Sequence, residues 1–443
     1  KYMAKRKGIM AGILVCSSDK VLSDHALIYE DDSIVDIVPN HKVRGENYVI
    51  DARNCIVCPG FINAHNHMYG VVSHGTPLHC NARTLKPRLE QYWWPQVEDR
   101  ITPELVKLTT RYACVDMLHN GITCFDDTLE APFAIPGALA AEADIVETCG
   151  LRGVLGFEAT QRISMQNGLA GLQENRDFII RQRQKGAKLV QGIMCAHTTF
   201  TCDTDFLRTA YKMAVELDDS LQIHLCESVD EGRYCLEKYG KFAAEVYHEL
   251  GILGERLLAS QCVVMDPSEL DMMGRANIRV SHQPISNANS GNGIAPVREM
   301  LDHGINVGLG TDGEVGSMME IMRTTYYIHK ARRMTSVDVL TMPEIFKMAT
   351  FMGAKAIGIK NIGALKPGMQ ADYLTVRMDG PTPFNEGNAI SLLIMYRNSA
   401  DICRVVVAGE TLMENYELLT LDEARIKAEM REATDEYWRS ING

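Results

Sequence analysis

Pro59-Gly-Phe-Ile-Asn-Ala-His65-Asn-His67 is where the rhythm of the chain changes. Before it, short alternating segments bounded by turn residues read as β-strands, among them Gly12-Ile-Leu-Val-Cys16, His25-Ala-Leu-Ile-Tyr29 and Ser33-Ile-Val-Asp-Ile-Val38. After it, apolar strands alternate with helical stretches. Residues 102–118 have helical period and lead into Gly121-Ile-Thr-Cys-Phe125, and residues 204–217 lead into Leu221-Gln-Ile-His-Leu225. Units of that length imply parallel strands joined by crossover helices, because a tight turn cannot connect parallel neighbours. Further strands are expected at 189–194, 257–265, 278–282 and 305–309, and so many parallel strands predict a closed barrel within an α/β fold. Near Gly363-Ala-Leu-Lys-Pro-Gly368 the chain returns to strands, Asp372-Tyr-Leu-Thr-Val376 and Arg404-Val-Val-Val-Ala408, and ends in a charged amphipathic helix over about 422–438. A small β domain is therefore expected from both ends of the chain, 1–58 plus 364–420, around a barrel at 59–363, with 421–443 as the terminal helix.

Residues two apart on a strand point the same way, so His65 and His67 can present two imidazoles to one ion. Alone, such a pair is as often a surface or core feature. Gln222-Ile-His224-Leu-Cys-Glu227 also lies at an expected strand end. A lone histidine there would be structural, but a carboxylate three residues on, where strand gives way to loop, can face the same cavity and move protons without occupying the metal. Ile305-Asn-Val-Gly-Leu-Gly-Thr-Asp312-Gly313 brings an acid to the end of a late strand. It also holds a formal G-x-G-x-x-G, yet Thr-Asp-Gly-Glu-Val-Gly is a poor helix start and no strand-end acid follows at the spacing a dinucleotide site requires. Taken together and in order, the three segments place their polar residues at the C-terminal ends of barrel strands, where such enzymes build their sites. Three neutral imidazoles and a carboxylate suit one divalent metal, zinc first and iron second, with a position left open for water.

Composition removes several other functions. The chain has 443 residues, 46% of them hydrophobic and 23% charged, enough for a large domain and a small one. No apolar run reaches the ~18 residues of a membrane span. A net charge of −12 argues against a nucleic-acid surface, which needs clustered Lys and Arg; runs such as Lys5-Arg6-Lys7 are too short. The basic opening residues lack the apolar stretch of a secretion signal. Thirteen cysteines in so long a chain form no disulfide framework and fit a reducing cytoplasm, and Cys55-Ile-Val-Cys58 reads as two buried strand thiols rather than a redox pair.

The chain resembles the amidohydrolase superfamily, and within it the branch of methylthioadenosine/S-adenosylhomocysteine deaminases, guanine deaminases and triazine hydrolases. The markers are Pro59 to His67 as quoted, His224-Leu-Cys-Glu227, Ser281-His-Gln-Pro-Ile-Ser-Asn287, Gly308-Leu-Gly-Thr-Asp-Gly313 and Gly363-Ala-Leu-Lys-Pro-Gly-Met-Gln-Ala-Asp372. The resemblance implies a (β/α)8 TIM-like barrel with a small β-sandwich domain. It makes His65, His67, His224 and Asp312 the ligands of a single metal, with Asp312 also taking the proton from water. Glu227 becomes the proton shuttle of a reaction in which hydroxide attacks an amidine-like ring carbon and ammonia leaves. His197, in Met194-Cys-Ala-His-Thr-Thr-Phe200, stands where the branch often has a substrate-contacting histidine; a packed, hydrogen-bonded histidine is the alternative. No lysine stands at that strand end, which disfavours the two-metal members bridged by a carboxylated lysine.

Two departures stand out. In Leu257-Leu-Ala-Ser-Gln261-Cys-Val-Val264, Gln261 replaces a family histidine that hydrogen-bonds the attacking hydroxide. An amide can donate a hydrogen bond but cannot exchange protons near neutral pH. Three outcomes are open: Gln261 serves as a neutral donor, it contacts an unusual substrate, or His282 fills the gap from the next strand. The loop after His67, Ser73-His-Gly-Thr-Pro-Leu-His-Cys80, lacks the acid with which nucleoside deaminases hold ribose, which disfavours a nucleoside. Tyr69, Tyr92, Trp93 and Trp94 fall in the first long loop, where aromatic faces would stack on a flat heterocycle or pack a lid. The expected enzyme is a hydrolytic deaminase of a small nitrogen heterocycle or cyclic amidine. The same site could displace an amine, halide or thiol, or open a cyclic amide. A catalytically silent scaffold is the remaining reading. The expected partners are the small substrate and, by fold analogy, further copies of the chain.

Overall fold

The computed structural model describes residues 6–44, 48–75, 80–313 and 316–442. The basic start 1–5, residues 76–79 of the loop after His67, and Glu314-Val315 after Asp312 lie outside the described residues.

The fold is α/β, with parallel sheets at its centre. Strands Phe61–Asn66, Ile122–Leu129, Arg152–Phe157 and Val190–Gly192 pair in that order; Met194–Cys195, Leu221–Leu225, Leu257–Gln261, Arg279–His282 and Asn306–Leu309 form a second parallel set. Backbone bridges link the two sets at both edges, Ala159 to Ala196 and Asn66 to Asp312. At the second seam Thr311 N and Asp312 N both donate to His65 O, at 3.0 and 3.1 Å. Close approach there requires glycine: a Cβ on Gly310 would lie 2.8 Å from His65 O, and one on Gly308 2.9 Å from Ala64 Cβ. The formal G-x-G-x-x-G therefore serves strand packing, and the next helix begins only at Met318.

Three elements differ from expectation. The strand expected over 189–194 is divided: Ile193 N donates to Leu155 O in one sheet and Met194 N to Ser220 O in the other. The strand expected over 257–265 stops at Gln261, because Gln261 and Cys262 turn left-handed, at φ +81° and +49°. Arg152–Phe157, wholly buried, was not anticipated. Buried on both faces, it shows no alternation to distinguish it from a core helix segment.

Both chain ends enter one nine-stranded sheet, in which Tyr48–Pro59 pairs parallel with Arg6–Ser17 and antiparallel with Tyr373–Arg377. Its apolar core includes Leu14, Leu27, Tyr29, Val57 and Tyr373. Cys55 is buried in it and Cys58 in the main core, and all thirteen cysteines are unpaired. The terminal helix Glu423–Asn442 lies on the helix Pro103–His119 through Arg111–Glu429 (3.1 Å) and His119–Glu423 (2.9 Å). Among the described residues no helix is long and apolar enough to cross a membrane.

Candidate metal centre

Strand alternation and strand pairing bring three imidazoles to one point. His65 lies in Phe61–Asn66, His67 follows it in extended conformation, and His224 lies in Leu221–Leu225. One potential ligand atom from each falls within 4.8 Å of the others, and all three residues are buried. Asp312 joins them through the seam: its Oδ1 is 3.4 Å from His67 Nε2. Its Oδ2 accepts from Gln261 Nε2 at 2.6 Å and from Ser286 Oγ at 2.9 Å. Although burial opposes it, the imidazoles of His67, His65 and His224 hold the Asp312 carboxyl well below its ordinary value.

Contacts on the far side of the His65 and His67 rings leave the other nitrogen of each facing the cluster. His67 Nδ1 sits 2.6 Å from Thr128 O, a group that can only accept, so Nδ1 carries a proton and Nε2 is the nitrogen turned to Asp312 Oδ1. His65 Nδ1 is 3.0 Å from both Ser260 Oγ and Gln222 Nε2, which hold the ring from its far side. His65 Nε2 is a buried nitrogen with no hydrogen-bond partner among the described residues. Burial, reinforced by His67 and His224, pushes the His65 pKa well below its ordinary value, so the ring is neutral. A neutral imidazole with an orphaned lone pair, facing two more imidazoles and a carboxylate, is a donor set that fits a divalent cation.

A cavity of about 520 Å³, within the range that holds a small ligand, borders this cluster. His67, His224 and Asp312 line it together with Tyr69, Trp93, His197, Glu98, Glu158 and Glu227. Burial pushes the Glu227 carboxyl up to about 8, against the pull of His224. Asn292 Nδ2 donates to its Oε1 at 3.3 Å. A carboxyl still protonated near neutral pH can deliver a proton to a bound base. His197 is neutral, its pKa lowered by burial to about 3, with Nδ1 2.8 Å from Thr201 Oγ1. Tyr69 donates to Glu98 Oε1 at 3.0 Å, its ring 6.3 Å from that of Trp93.

Gln261 and His282 are placed differently from the other expected residues. Gln261 does not line the cavity; it is a neutral donor, directed at Asp312. His282 does not fill the gap: it is buried away from the cavity, its Nε2 3.3 Å from His329 Nε2. Period-two alternation explains this, since Ser281 accepts from Gln283 and its neighbour His282 faces the Met318–Arg333 helix that carries His329. The expectation of His282 as a substrate contact is corrected accordingly.

Three acids in the cavity wall are not singled out by the sequence: Glu158, Glu98 and Glu320 of the Met318–Arg333 helix. Glu158 follows the unanticipated strand, whose only sign was an apolar run after Gly150. Glu98 arrives from Glu98–Arg100, just before the Thr102 helix cap, and pairs with Arg162 at 3.1 Å. Glu98 thus places an acid in the cavity wall about thirty residues after His67.

Known proteins are similar to this chain in sequence and in fold. The chain is 30% identical over 403 residues to the 5-methylthioadenosine/S-adenosylhomocysteine deaminase of Pyrococcus horikoshii, covering 90% of this chain and 93% of that one. It is 30% identical over 425 residues to the 5'-deoxyadenosine deaminase of Methanosarcina acetivorans, covering 95% of each. Its fold is similar to that of an adenosine deaminase from Xanthomonas campestris solved with bound zinc, with TM-score 0.87 at 23% identity over 97% of this chain and 98% of that one. An atrazine chlorohydrolase from Arthrobacter aurescens, complexed with zinc, gives TM-score 0.85 at 22% identity over 97% and 100%. Residues 56–412 match the model of the amidohydrolase family, and the chain belongs to that family.

Proposed function

We propose that this protein is a metal-dependent hydrolytic deaminase of a small nitrogen heterocycle or cyclic amidine, with one zinc ion held by His65, His67, His224 and Asp312. The observation that carries this reading is the orphaned Nε2 of buried, neutral His65, facing His67 and His224 beside a cavity that also holds Glu227. A divalent ion in that set would supply Lewis acidity and lower the pKa of a water molecule. The chain's own residues do the rest. Glu227, kept protonated by burial, gives its proton to a ring nitrogen as the ring carbon is attacked. Gln261 and Ser286 fix Asp312 through Oδ2 and leave Oδ1 toward the histidines. Tyr69 and Trp93 offer flat apolar faces to a heterocycle. The named relatives act on adenosine derivatives, and Glu98 in the cavity wall supports a nucleoside among the substrates.

The same reading takes 59–363 as one closed (β/α)8 barrel, supported by the bridges at both seams, and 1–58 plus 364–420 as a β-sandwich unit, supported by the shared sheet. Thirteen unpaired thiols support a cytoplasmic setting, and assembly into a homo-oligomer rests on fold analogy.

The test is ammonia release by the zinc-loaded protein across adenosine derivatives, amino-purines, amino-pyrimidines, pterins and triazines. Release from one compound, abolished by a chelator, is the expected result. Silence across the panel with metal bound would overturn deamination and favour displacement of another leaving group, the reaction named for the chlorohydrolase of similar fold.

A further inference from the structure

One buried carboxylate in the cavity has no part in the chemistry above. Glu158, just past the Arg152–Phe157 strand, is 2% exposed and lines the cavity. Its Oε1 is 2.9 Å from His224 Nδ1, and neither atom has a hydrogen-bond partner elsewhere among the described residues. The next basic atom, His197 Nε2, is 3.7 Å away.

We propose that Glu158 is a positioning residue for the metal centre: it holds the proton of His224 on Nδ1 and so presents Nε2 to the ion. The proposal rests on His224 being a ligand. The other two rings have uncharged groups on the far nitrogen, Thr128 O for His67 and the Ser260 hydroxyl with the Gln222 amide for His65. Only His224 is backed by a carboxylate. A carboxylate in that position fixes the tautomer, restrains the ring and makes the ligating nitrogen more basic. Because His224 also lines the cavity, its orientation sets where the ion meets the substrate.

There is a rival arrangement. Glu158, His197 and His224 also bring ligand atoms within 4.8 Å of one another, which describes a second ion sharing His224. With both sites filled, His224 would have to bind through Nδ1 and Nε2 at once, as a fully deprotonated ring; a single ion needs only the neutral one.

The experiment measures zinc stoichiometry by atomic emission, zinc affinity by competition with a chromophoric chelator, and the visible spectrum of the cobalt(II) protein. Wild type is expected to bind one zinc. Glu158→Gln should still bind one at saturation, with affinity ~10–100-fold weaker and a shifted cobalt spectrum, and Glu158→Asp should fall between the two. His197→Ala should change zinc affinity by less than about threefold, since it removes no group that backs a ligand. Thermal unfolding of the metal-free proteins identifies any variant that fails to fold, in which case Glu158→Asp decides. Glu158→Gln binding zinc as wild type does would overturn the proposal, and so would two zincs in wild type with one lost in both Glu158→Gln and His197→Ala. His224→Ala separates the two readings: if it binds zinc as tightly as wild type, the ligand assignment itself has failed.

Discussion

The Arg152–Phe157 strand carries a buried charge at each end, and the two ends behave in opposite ways. At its start, Arg152 forms a double contact with Asp372, Nε to Oδ2 at 2.6 Å and Nη2 to Oδ1 at 3.1 Å. It also donates to Gln370 Oε1 and Lys188 O, and Ala408 N donates to Asp372 Oδ1. This cluster ties the nine-stranded sheet to the parallel strands and is closed upon itself. Past its far end, Glu158 joins a cluster in which His65 Nε2 and Gln261 Oε1 have no hydrogen-bond partner among the described residues, while Glu158 Oε1 and His224 Nδ1 have only each other. Buried polar atoms left unpaired are costly, and this cluster borders the cavity, from which a group outside the chain can complete it. Unpaired atoms beside a cavity distinguish this end from the closed ion pair, and burial does not.

Breaking the unsaturated end should have the largest effect. His224→Ala is expected to lose metal and activity together, while Glu227→Gln keeps one metal and loses ~10²–10⁴ in kcat. Metal analysis beside steady-state kinetics checks both, and equal metal content in the two inactive variants would remove His224 from the ligand set. At the saturated end, Arg152→Met leaves the Asp372 carboxylate buried without its partner and should cost about 3–5 kcal/mol of stability, with zinc content unchanged in the folded protein. Denaturant unfolding reads the loss; a loss of metal from the folded variant would show that the two ends are coupled.

Gln261 tests how far the unsaturated cluster depends on its own donors. Gln261→Ala leaves Asp312 Oδ2 to Ser286 alone, and one hydrogen bond to a charged group predicts a loss of roughly tenfold in kcat/KM. An unchanged rate would reduce Gln261 to packing. The smallest effect is expected at Glu142, a buried acid in the Ala138–Cys149 helix that lies outside the cavity lining and whose Oε2 has no hydrogen-bond partner among the described residues. Burial, with Asp127 and Glu174 nearby, raises its folded-state pKa well above the ordinary 4.5. The folded protein then binds a proton that the unfolded chain releases, so this group's contribution to stability is lost as pH rises from about the unfolded value through the folded one. Glu142→Gln removes that dependence and should stabilise by on the order of 1 kcal/mol at pH 8, with less gain at pH 5. Melting curves at the two pH values would show it; a gain that does not grow with pH would mean that Glu142 is not titrating.

Much of the site was legible because its signals are local. His65 and His67 share a strand face by spacing, His224 and Glu227 straddle a strand end, and Asp312 follows a glycine-punctuated strand. The strand between Gly150 and Glu158 was not legible, because a parallel strand buried on both faces has no period to read. Glu158 was missed with it. The break at Ile193 and the left-handed turn at Gln261 were hidden for a related reason: each depends on which neighbouring strand supplies the next hydrogen bond.

By itself the sequence determined the alternation of strand and helix, the return of the chain to strands after Gly363, and the residue types able to hold an ion and move a proton. Only the tertiary structure decided that Gln261 serves Asp312, that His282 turns away to His329, and that Glu98 and Glu158 enter the cavity wall. Periodicity fixes which way a side chain points from its own strand. Which distant group it meets depends on how the strands twist and pair, and that is a property of the assembled sheets.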